Sequence, residues 1–199
     1  MRIIHQALII SCCLFANALF AQEGYLAIRT GYSNTALNSS STSDISLSRR
    51  HTWHASLVYA HIFENEKFGF SIEPGFLIKG TRIDVDTMDY KFNFISTPIL
   101  FDYYPIKNVK VSIGPEIAFL TSANNTVNDT TKLSLTDTYD NRLEVSGTIG
   151  ASYSLSFFAD LGVRYSRSFT PLATSDPALK REDLFSEYFQ VFLVLKIAN

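Results

Sequence analysis

The sequence predicts an all-β protein, an eight-stranded antiparallel up-and-down transmembrane β-barrel. Apolar residues alternate with small or polar residues over long stretches, and helical periodicity is absent after the N-terminal segment. Eight such stretches follow one another, and the connections between them alternate between long and short. This rhythm is typical of outer-membrane barrels, in which long loops lie at one end and tight turns at the other.

The clearest strand pair lies within residues 91–120, where two long stretches flank a short joint at residues 105–108. Apolar side chains such as Ile113 share one parity in the second stretch, and small or polar ones such as Ser112 share the other. Successive side chains of a strand point to opposite faces, so one face is apolar. Both stretches exceed the usual strand length of about 5–6 residues. Length and alternation together favour a sheet with one face in lipid.

The remaining elements repeat this pattern. The eight strands are predicted at about residues 24–33, 52–63, 68–80, 91–104, 109–120, 142–153, 157–169 and 185–197. The long connections are rich in Ser, Thr, Asn and Asp, and cover residues 34–50, 81–89, 122–140 and 170–183. Pro98 and Pro115 fall inside the fourth and fifth strands, where proline cannot donate to the ladder. Local bulges at these two prolines could absorb the missing donors, so the exact registers of the two strands are left open.

Length and composition are those of one aromatic-rich domain. The 199 residues carry a formal net charge of −2, which gives no reason to expect a nucleic-acid partner. Aromatic residues make up 14% of the chain, and charged residues make up 18%, against about 25% in a typical soluble domain.

The N-terminus has the layout of a secretory signal peptide. Arg2 precedes an apolar run that ends in small residues, and Ala16-Asn17-Ala18 fits the cleavage pattern. We favour cleavage after Ala21, which makes residues 1–21 the signal peptide and 22–199 the barrel domain. Cys12 and its neighbour lie in the signal, so the mature chain has no disulfide. The expected location is the cell outer membrane.

Charged and polar residues on the small-residue face predict a lumen network. An eight-stranded barrel has an interior that side chains just fill, so a structural plug of ion pairs is the favoured interpretation, and a proton or ion path is the alternative. Arg164 is expected to pair with Glu73, Glu116 or Asp160. The predicted lumen residues are Arg29, Glu73, Lys79, Asp102, Glu116, Asp160, Arg164 and Lys196, with Gln190 beside them.

No catalytic, metal or cofactor site is predicted. His51 and His54 are three residues apart, which places them on opposite faces of a strand, and we interpret them as loop or rim residues. His61 could lie at the lipid face with Ser71 or Glu66 nearby, but no nucleophile, base and orienting group can be named.

Aromatic residues cluster where the predicted strands end. Two girdles at the two membrane interfaces are what a bilayer selects. The first girdle, near the short turns, comprises Phe68, Phe70, Tyr103, Tyr104, Phe157 and Phe158. The second, near the long loops, comprises Trp53, Tyr90, Phe119, Phe169 and Phe185.

Three segments resemble a known family. The segment Phe94-Ile-Ser-Thr-Pro-Ile-Leu-Phe-Asp-Tyr103, the segment Ile113-Gly-Pro-Glu-Ile-Ala-Phe119 and the segment Leu161-Gly-Val-Arg-Tyr-Ser-Arg-Ser-Phe-Thr170 are similar to strands of the small outer-membrane β-barrels of Bacteroidetes, the porin-family or PorT-like proteins. Ser96, Asp102 and Ser168 depart from the Glu, Lys and Gly of that pattern. The resemblance implies a fold and a location, and fold alone supplies no activity.

The function read from the sequence is that of a monomeric outer-membrane barrel with a filled lumen and four polar surface loops. Its expected role is structural or interactive, such as adhesion or accessory work in export, and it is neither an enzyme nor a wide pore. Its expected partners are outer-membrane lipids and an unidentified surface or protein partner. The alternative is a soluble periplasmic or secreted barrel, similar to a lipocalin, with a small apolar ligand inside.

Overall fold

The computed structural model describes residues 24–39, 47–83, 88–127, 131–134, 142–171 and 184–198, so the predicted signal peptide lies outside the described residues. This part of the chain contains no helix of the length and apolarity needed to cross a bilayer. Its strands are β1 (Gly24–Ser39), β2 (Leu47–Ile62), β3 (Phe68–Ile72), β4 (Gly75–Ile83), β5 (Met88–Ile106), β6 (Val109–Val127), β7 (Thr131–Ser134), β8 (Leu143–Ser154), β9 (Ala159–Ser168) and β10 (Leu184–Ala198).

The strands form one closed antiparallel sheet. β1 pairs with β2 on one side and with β10 on the other, which joins the first strand to the last. β3 and β4 both pair with β2 and with β5, so they are two halves of one barrel strand. Among the strands that the structure describes, β7 pairs with the distal end of β6 alone. Eight strand positions therefore circle the barrel, and the predicted fold class is confirmed.

Side chains alternate between the outer wall and the lumen along every long strand. In β9 the burial alternates residue by residue from Asp160 to Ser168. Large apolar side chains stay exposed on the outside, whereas a soluble domain would bury them. They include Leu26, Ile28, Leu57, Ile95, Ile99, Ile113, Ile117, Leu161, Val163, Val191 and Leu195. The arrangement is apolar outside and largely polar inside, the reverse of the lipocalin-like alternative.

Strands extend further at the loop end than composition indicates. The predicted loop at residues 34–50 is wrong in part, because β1 continues to Ser39 and β2 begins at Leu47. The predicted loop at residues 122–140 is also wrong in part, because β6 continues to Val127 and β7 pairs with it. A ladder needs only backbone donors and acceptors, so Ser, Thr and Asn can extend a strand. The end of the barrel that carries these segments is called the loop end below.

The single strand predicted at residues 68–80 is interrupted at Glu73 and Pro74. Pro74 has no N–H group, but its carbonyl accepts a hydrogen bond of 2.9 Å from the backbone of Leu57. The N–H of Glu73 donates to the carbonyl of Pro98 over 3.0 Å. The interruption thus keeps its hydrogen bonds.

Pro98 and Pro115 lie in the ladder without a register shift between β5 and β6 at either position. The β5–β6 register runs without a shift from Phe94 to Tyr103, and its shifts lie just outside that range. Pro98 remains opposite Glu116 within the ladder. On the other side of β5, the interruption between β3 and β4 lies opposite Pro98, whose carbonyl accepts the hydrogen bond of Glu73.

Three tight turns close the opposite end, called the short-turn end below. In the first, Asn65 accepts hydrogen bonds from the backbone of Lys67 and Phe68, and Glu66 adopts a positive φ of 55°. The second consists of residues 107–108, and the third of residues 155–158. β9 therefore begins at Ala159 and not at the predicted residue 157.

Candidate functional site

The lumen is the candidate site, because it gathers the charged side chains predicted from the sequence. All eight predicted residues lie on the inward parity of their strands. Seven of them are buried, and Lys196 near the short-turn end is half-buried. The arrangement brings them together as several small clusters and not as one continuous network.

The central cluster is an ion triad on Glu73. Arg164 donates two hydrogen bonds to it, from Nη1 to Oε2 over 2.7 Å and from Nη2 to Oε1 over 3.0 Å. Arg29 forms a second salt bridge to Oε2 of the same carboxylate. The partner predicted for Arg164 is therefore Glu73. Bidentate geometry of this kind is both specific and strong, because the guanidinium fork matches a carboxylate.

One aromatic ring supports both arginines of the triad. The guanidinium carbons of Arg29 and Arg164 lie 5.0 and 5.5 Å from the centroid of Phe192. Phe192 is opposite Gly31 on one side of the ladder and Gly162 on the other. A Cβ at Gly162 would lie 2.5 Å from the ring, so a glycine at this position leaves room for Phe192 in the lumen. Both glycines lie on the inward parity of their strands. This pattern in the sequence could have indicated that a large side chain lies between them in the lumen.

The Oε2 atom of Glu116 is surrounded by hydroxyl groups. Tyr188 donates a hydrogen bond to Oε2, and the hydroxyls of Thr148 and Ser166 lie 3.2 and 3.4 Å from the same atom. Each hydroxyl belongs to a different strand, so the cluster ties β6 to β8, β9 and β10. The described partners of Glu116 are therefore donors without charge, in contrast to the partners of Glu73.

A third cluster pairs Lys79 with Glu144 near the loop end. The Nζ atom of Lys79 contacts the carboxylate and also donates to the hydroxyl of Ser186 over 3.1 Å. The rings of Phe94 and Tyr188 lie about 5 Å from Nζ. Glu144 is 1% exposed and was not among the predicted residues. Glu144 has the same parity as the inward small residues of β8, and this parity could have identified it as a lumen residue.

The short-turn end holds two looser ion pairs. Lys196 lies 3.0 Å from Asp160, and its Nζ is 5.2 Å from the ring centroid of Tyr25. Lys110 lies 3.7 Å from Asp102, which also accepts a hydrogen bond from Ser112. Lys110 was missed as a site residue, although its inward parity is visible in the sequence. The named lumen charges comprise five cations and five anions, so these charges balance.

The sequence suggested a polar lumen, but the lumen of the structure also contains apolar side chains. Phe192 belongs to one apolar cluster, and a second apolar cluster lies toward the loop end. The first consists of Tyr25, Ala27, Val58, Ala60, Phe192 and Val194. The second consists of Leu37, Phe92, Phe94, Ala118, Leu120 and Ala123. Apolar packing and ion pairs therefore fill the interior together.

The histidines differ partly from expectation. His54 is 2% exposed in the lumen, so its interpretation as a rim residue was wrong. Its Nδ1 is 2.9 Å from the hydroxyl of Ser33. His61 lies on the outer face against Phe70, whereas Ser71 is buried on the opposite face, so the suggested His61–Ser71 pair does not form. Within the described residues, no group of three or more potential ligands is arranged to hold a metal ion.

Aromatic side chains occupy both ends of the outer wall, with corrections to the predicted girdles. Trp53 and Phe169 are exposed at the loop end, and Phe157 is exposed at the short-turn end. Tyr104 instead has inward parity, and its hydroxyl is buried. Tyr90 packs against the apolar cluster of the loop end, so neither tyrosine belongs to a girdle.

A comparison with known protein families matches residues 20–174 to the outer membrane protein beta-barrel domain. The chain belongs to this family. The match covers most of the chain, and it identifies the protein as an outer-membrane β-barrel. Membership in the family accounts for the apolar outer wall described above, because that wall faces lipid in such barrels.

Solved structures show the same fold at low sequence identity. The chain is similar to Neisserial surface protein A, with a TM-score of 0.58 and 11% identity over 86% of this chain and 97% of that one. It is also similar to Ail, the attachment invasion locus protein of Yersinia pestis, with a TM-score of 0.52 and 14% identity over 88% and 100% of the chains. That Ail structure is a complex with the heparin analogue sucrose octasulfate. No curated protein matches the chain.

Proposed function

We propose that this outer-membrane barrel has a structural or interaction role, and that it is neither a wide pore nor an enzyme. The observation that carries the proposal is the filled centre of the lumen, where Arg29, Arg164 and Phe192 surround Glu73. These four residues, from β1, the junction of β3 and β4, β9 and β10, contact one another across the lumen. An eight-stranded barrel packed in this way leaves no continuous channel for solutes.

We further propose an orientation in the membrane. Residues 1–21 act as a signal peptide that is removed on export, and residues 22–199 form the mature barrel. The short-turn end then faces the periplasm, and the loop end faces outward, as is usual for such barrels. The even number of strand positions brings the start of β1 and the end of β10 to the same side, the periplasmic one.

The interaction itself would involve the polar connections at the loop end. We propose adhesion, or accessory work in protein export, by a monomer of the PorT-like group of Bacteroidetes that needs no cofactor. The adhesion hypothesis is supported by the similarity to Ail, whose structure contains the heparin analogue sucrose octasulfate. The export reading is supported by the three segments that resemble the PorT-like strands.

The first experiment is membrane fractionation of cells that express the full chain, followed by gel mobility with and without boiling. We expect the protein in the outer membrane, with an unboiled form that migrates differently because a closed barrel resists detergent. Recovery in the soluble periplasm would overturn the membrane assignment and favour a ligand-binding barrel.

A substitution on the outer wall, which is proposed to face lipid, tests the same proposal. Ile113 is 56% exposed on β6 between outward residues of β5 and β8. In lipid, Ile113→Arg should destabilise the barrel by about 2–4 kcal/mol, because a charge there must leave water. In water the same change at an exposed position should cost less than about 0.5 kcal/mol. Urea unfolding in lipid vesicles distinguishes the two, and a small effect would contradict the proposal.

A further inference from the structure

Two exposed arginines lie on the outer wall at the loop end. Arg49 is on β2 and Arg167 is on β9. Glu187 of β10 lies between them: it is opposite Arg167 in the ladder, and its Oε1 is 2.7 Å from Nη2 of Arg49. These three residues are called the outer basic patch, which carries two positive charges and one negative charge.

The outer basic patch begins where the apolar wall ends. On β10 the outward residues from Phe189 to Ile197 are apolar, and Glu187 is the next outward residue. On β9 Arg167 follows Tyr165 in the same way. The apolar run on β10 measures about 20 Å along the barrel axis, at a rise of about 3.3 Å per residue and a tilt of about 40°. The patch therefore lies at the level of lipid headgroups.

Contacts within the patch hold one guanidinium in place while leaving it accessible. Arg49 donates to Asn34 over 3.3 Å as well as to Glu187. Glu187 is fixed in turn by the hydroxyl of Tyr165, at 3.0 Å. Half of the Arg49 side chain nevertheless remains exposed. A guanidinium has five N–H donors, so open donors remain for an anion, and their geometry suits a phosphate.

The opposite end of the wall has no such charge excess. In the described turns there, Glu64 and Glu66 are balanced by Lys67 and Lys107, and all four are exposed. Among these two sets of exposed residues, the positive excess is therefore at the loop end. The attraction for an anionic group is therefore local to Arg49 and Arg167.

We propose that the outer basic patch binds the phosphate headgroup of an anionic lipid in the surrounding leaflet. The proposal rests on the proposed function, because it requires the barrel to lie in a bilayer. A lipid fits better than a free anion, since the apolar side chains of Phe189 and Val191 continue the wall directly below the patch and can contact acyl chains. The phosphate accepts hydrogen bonds from N–H groups of Arg49 and Arg167 that Glu187 does not occupy, and the acyl chains extend along β10.

The test uses the full chain folded in dodecyl maltoside micelles and titrated with dioleoyl phosphatidic acid or dioleoyl phosphatidylcholine. Native mass spectrometry measures the lipid retained. We expect retention of the phosphatidic acid in preference to the phosphatidylcholine. The double variant R49Q/R167Q should weaken that retention on the order of tenfold. The matched control K67Q/K107Q removes two positive charges at the short-turn end and should leave retention unchanged.

Several outcomes would overturn the proposal. These are equal retention of the two lipids, equal weakening by the two double variants, or equally strong competition by inorganic phosphate or sucrose octasulfate, which would indicate a site for soluble anions. R49K/R167K keeps both charges and should retain the lipid to within a few-fold. Gel mobility without boiling reports barrel formation separately, so a folded wild-type barrel that shows no preference for phosphatidic acid would overturn this inference and leave the proposed function intact.

Discussion

Two ion pairs in this barrel have the same chemistry and different surroundings. Arg164 and Glu73 in the lumen, and Arg49 and Glu187 on the outer wall, each join a guanidinium to a carboxylate at 2.7 Å. The side chains of the lumen pair are both 3% exposed, whereas those of the wall pair are 50% and 13% exposed. The two pairs therefore differ mainly in burial, beside the second arginine that Glu73 contacts.

Burial strengthens the attraction between two opposite charges. It also raises the free-energy cost of removing one of them. In the lumen the charges have left water, so removal of one group leaves the other charge buried without solvation. On the wall, water or headgroups solvate a guanidinium that has lost its carboxylate, and salt screens the pair. The lumen pair should thus control stability, and the wall pair should be free to serve recognition.

The largest effect is expected from Glu73→Ala. It leaves Arg29 and Arg164 buried without their shared carboxylate, so unfolding in urea should require about 3–5 kcal/mol less free energy than for the wild type. Glu64→Ala, in an exposed turn, is the matched control and should change stability little. Equal effects of the two substitutions would mean that burial does not determine the contribution of the triad to the free energy of unfolding.

A double-mutant cycle on Lys79 and Glu144 sharpens the comparison. Lys79→Met or Glu144→Met alone should destabilise the barrel by about 3 kcal/mol, because each leaves one buried charge unpaired. The double variant removes both charges and should lose clearly less than the sum of the single losses. Additive losses, measured by the same urea unfolding, would show that the two charges are not coupled.

A smaller effect is expected at the cluster without cations. Tyr188→Phe removes the hydroxyl that donates to Glu116, while Thr148 and Ser166 remain. We expect a loss of about 1.5–3 kcal/mol, which is typical of one hydrogen bond to a charged group. Tyr153→Phe, on the exposed outer face, is the control for loss of a tyrosine hydroxyl. A loss as large as that of Glu73→Ala would indicate that hydroxyls and cations stabilise a buried carboxylate equally.

The smallest effect is expected at the wall. Arg49→Gln should change the unfolding free energy by less than about 1 kcal/mol in zwitterionic micelles, and added salt should reduce the difference further. For Glu73→Ala the loss should be nearly independent of salt. Unfolding at low and high sodium chloride measures both. A salt-independent loss of several kcal/mol at Arg49 would place that pair in the same class as the lumen triad.

Much of the barrel could be predicted because strand periodicity is local. Parity alone assigned the lumen side of Arg29, Glu73 and Arg164 and the outer side of Ile113, since alternation follows from the geometry of each strand. The same rule would have assigned Glu144 to the lumen, where it is buried. Strand ends were predicted less well, because composition suggested loops where backbone pairing with a neighbour extends β1 and β6.

By itself, the sequence determined the fold class, the outer and inner faces, and the membership of the polar interior. Only the tertiary structure decided which charges meet. Glu73 and Arg164 are separated by 91 residues, and Lys79 and Glu144 by 65. Their pairing depends on the closure of the barrel and on the length and tilt of each strand, which combine contributions from the whole sheet. Side-chain parity is a property of a few residues, whereas contact across a lumen is a property of the closed ring.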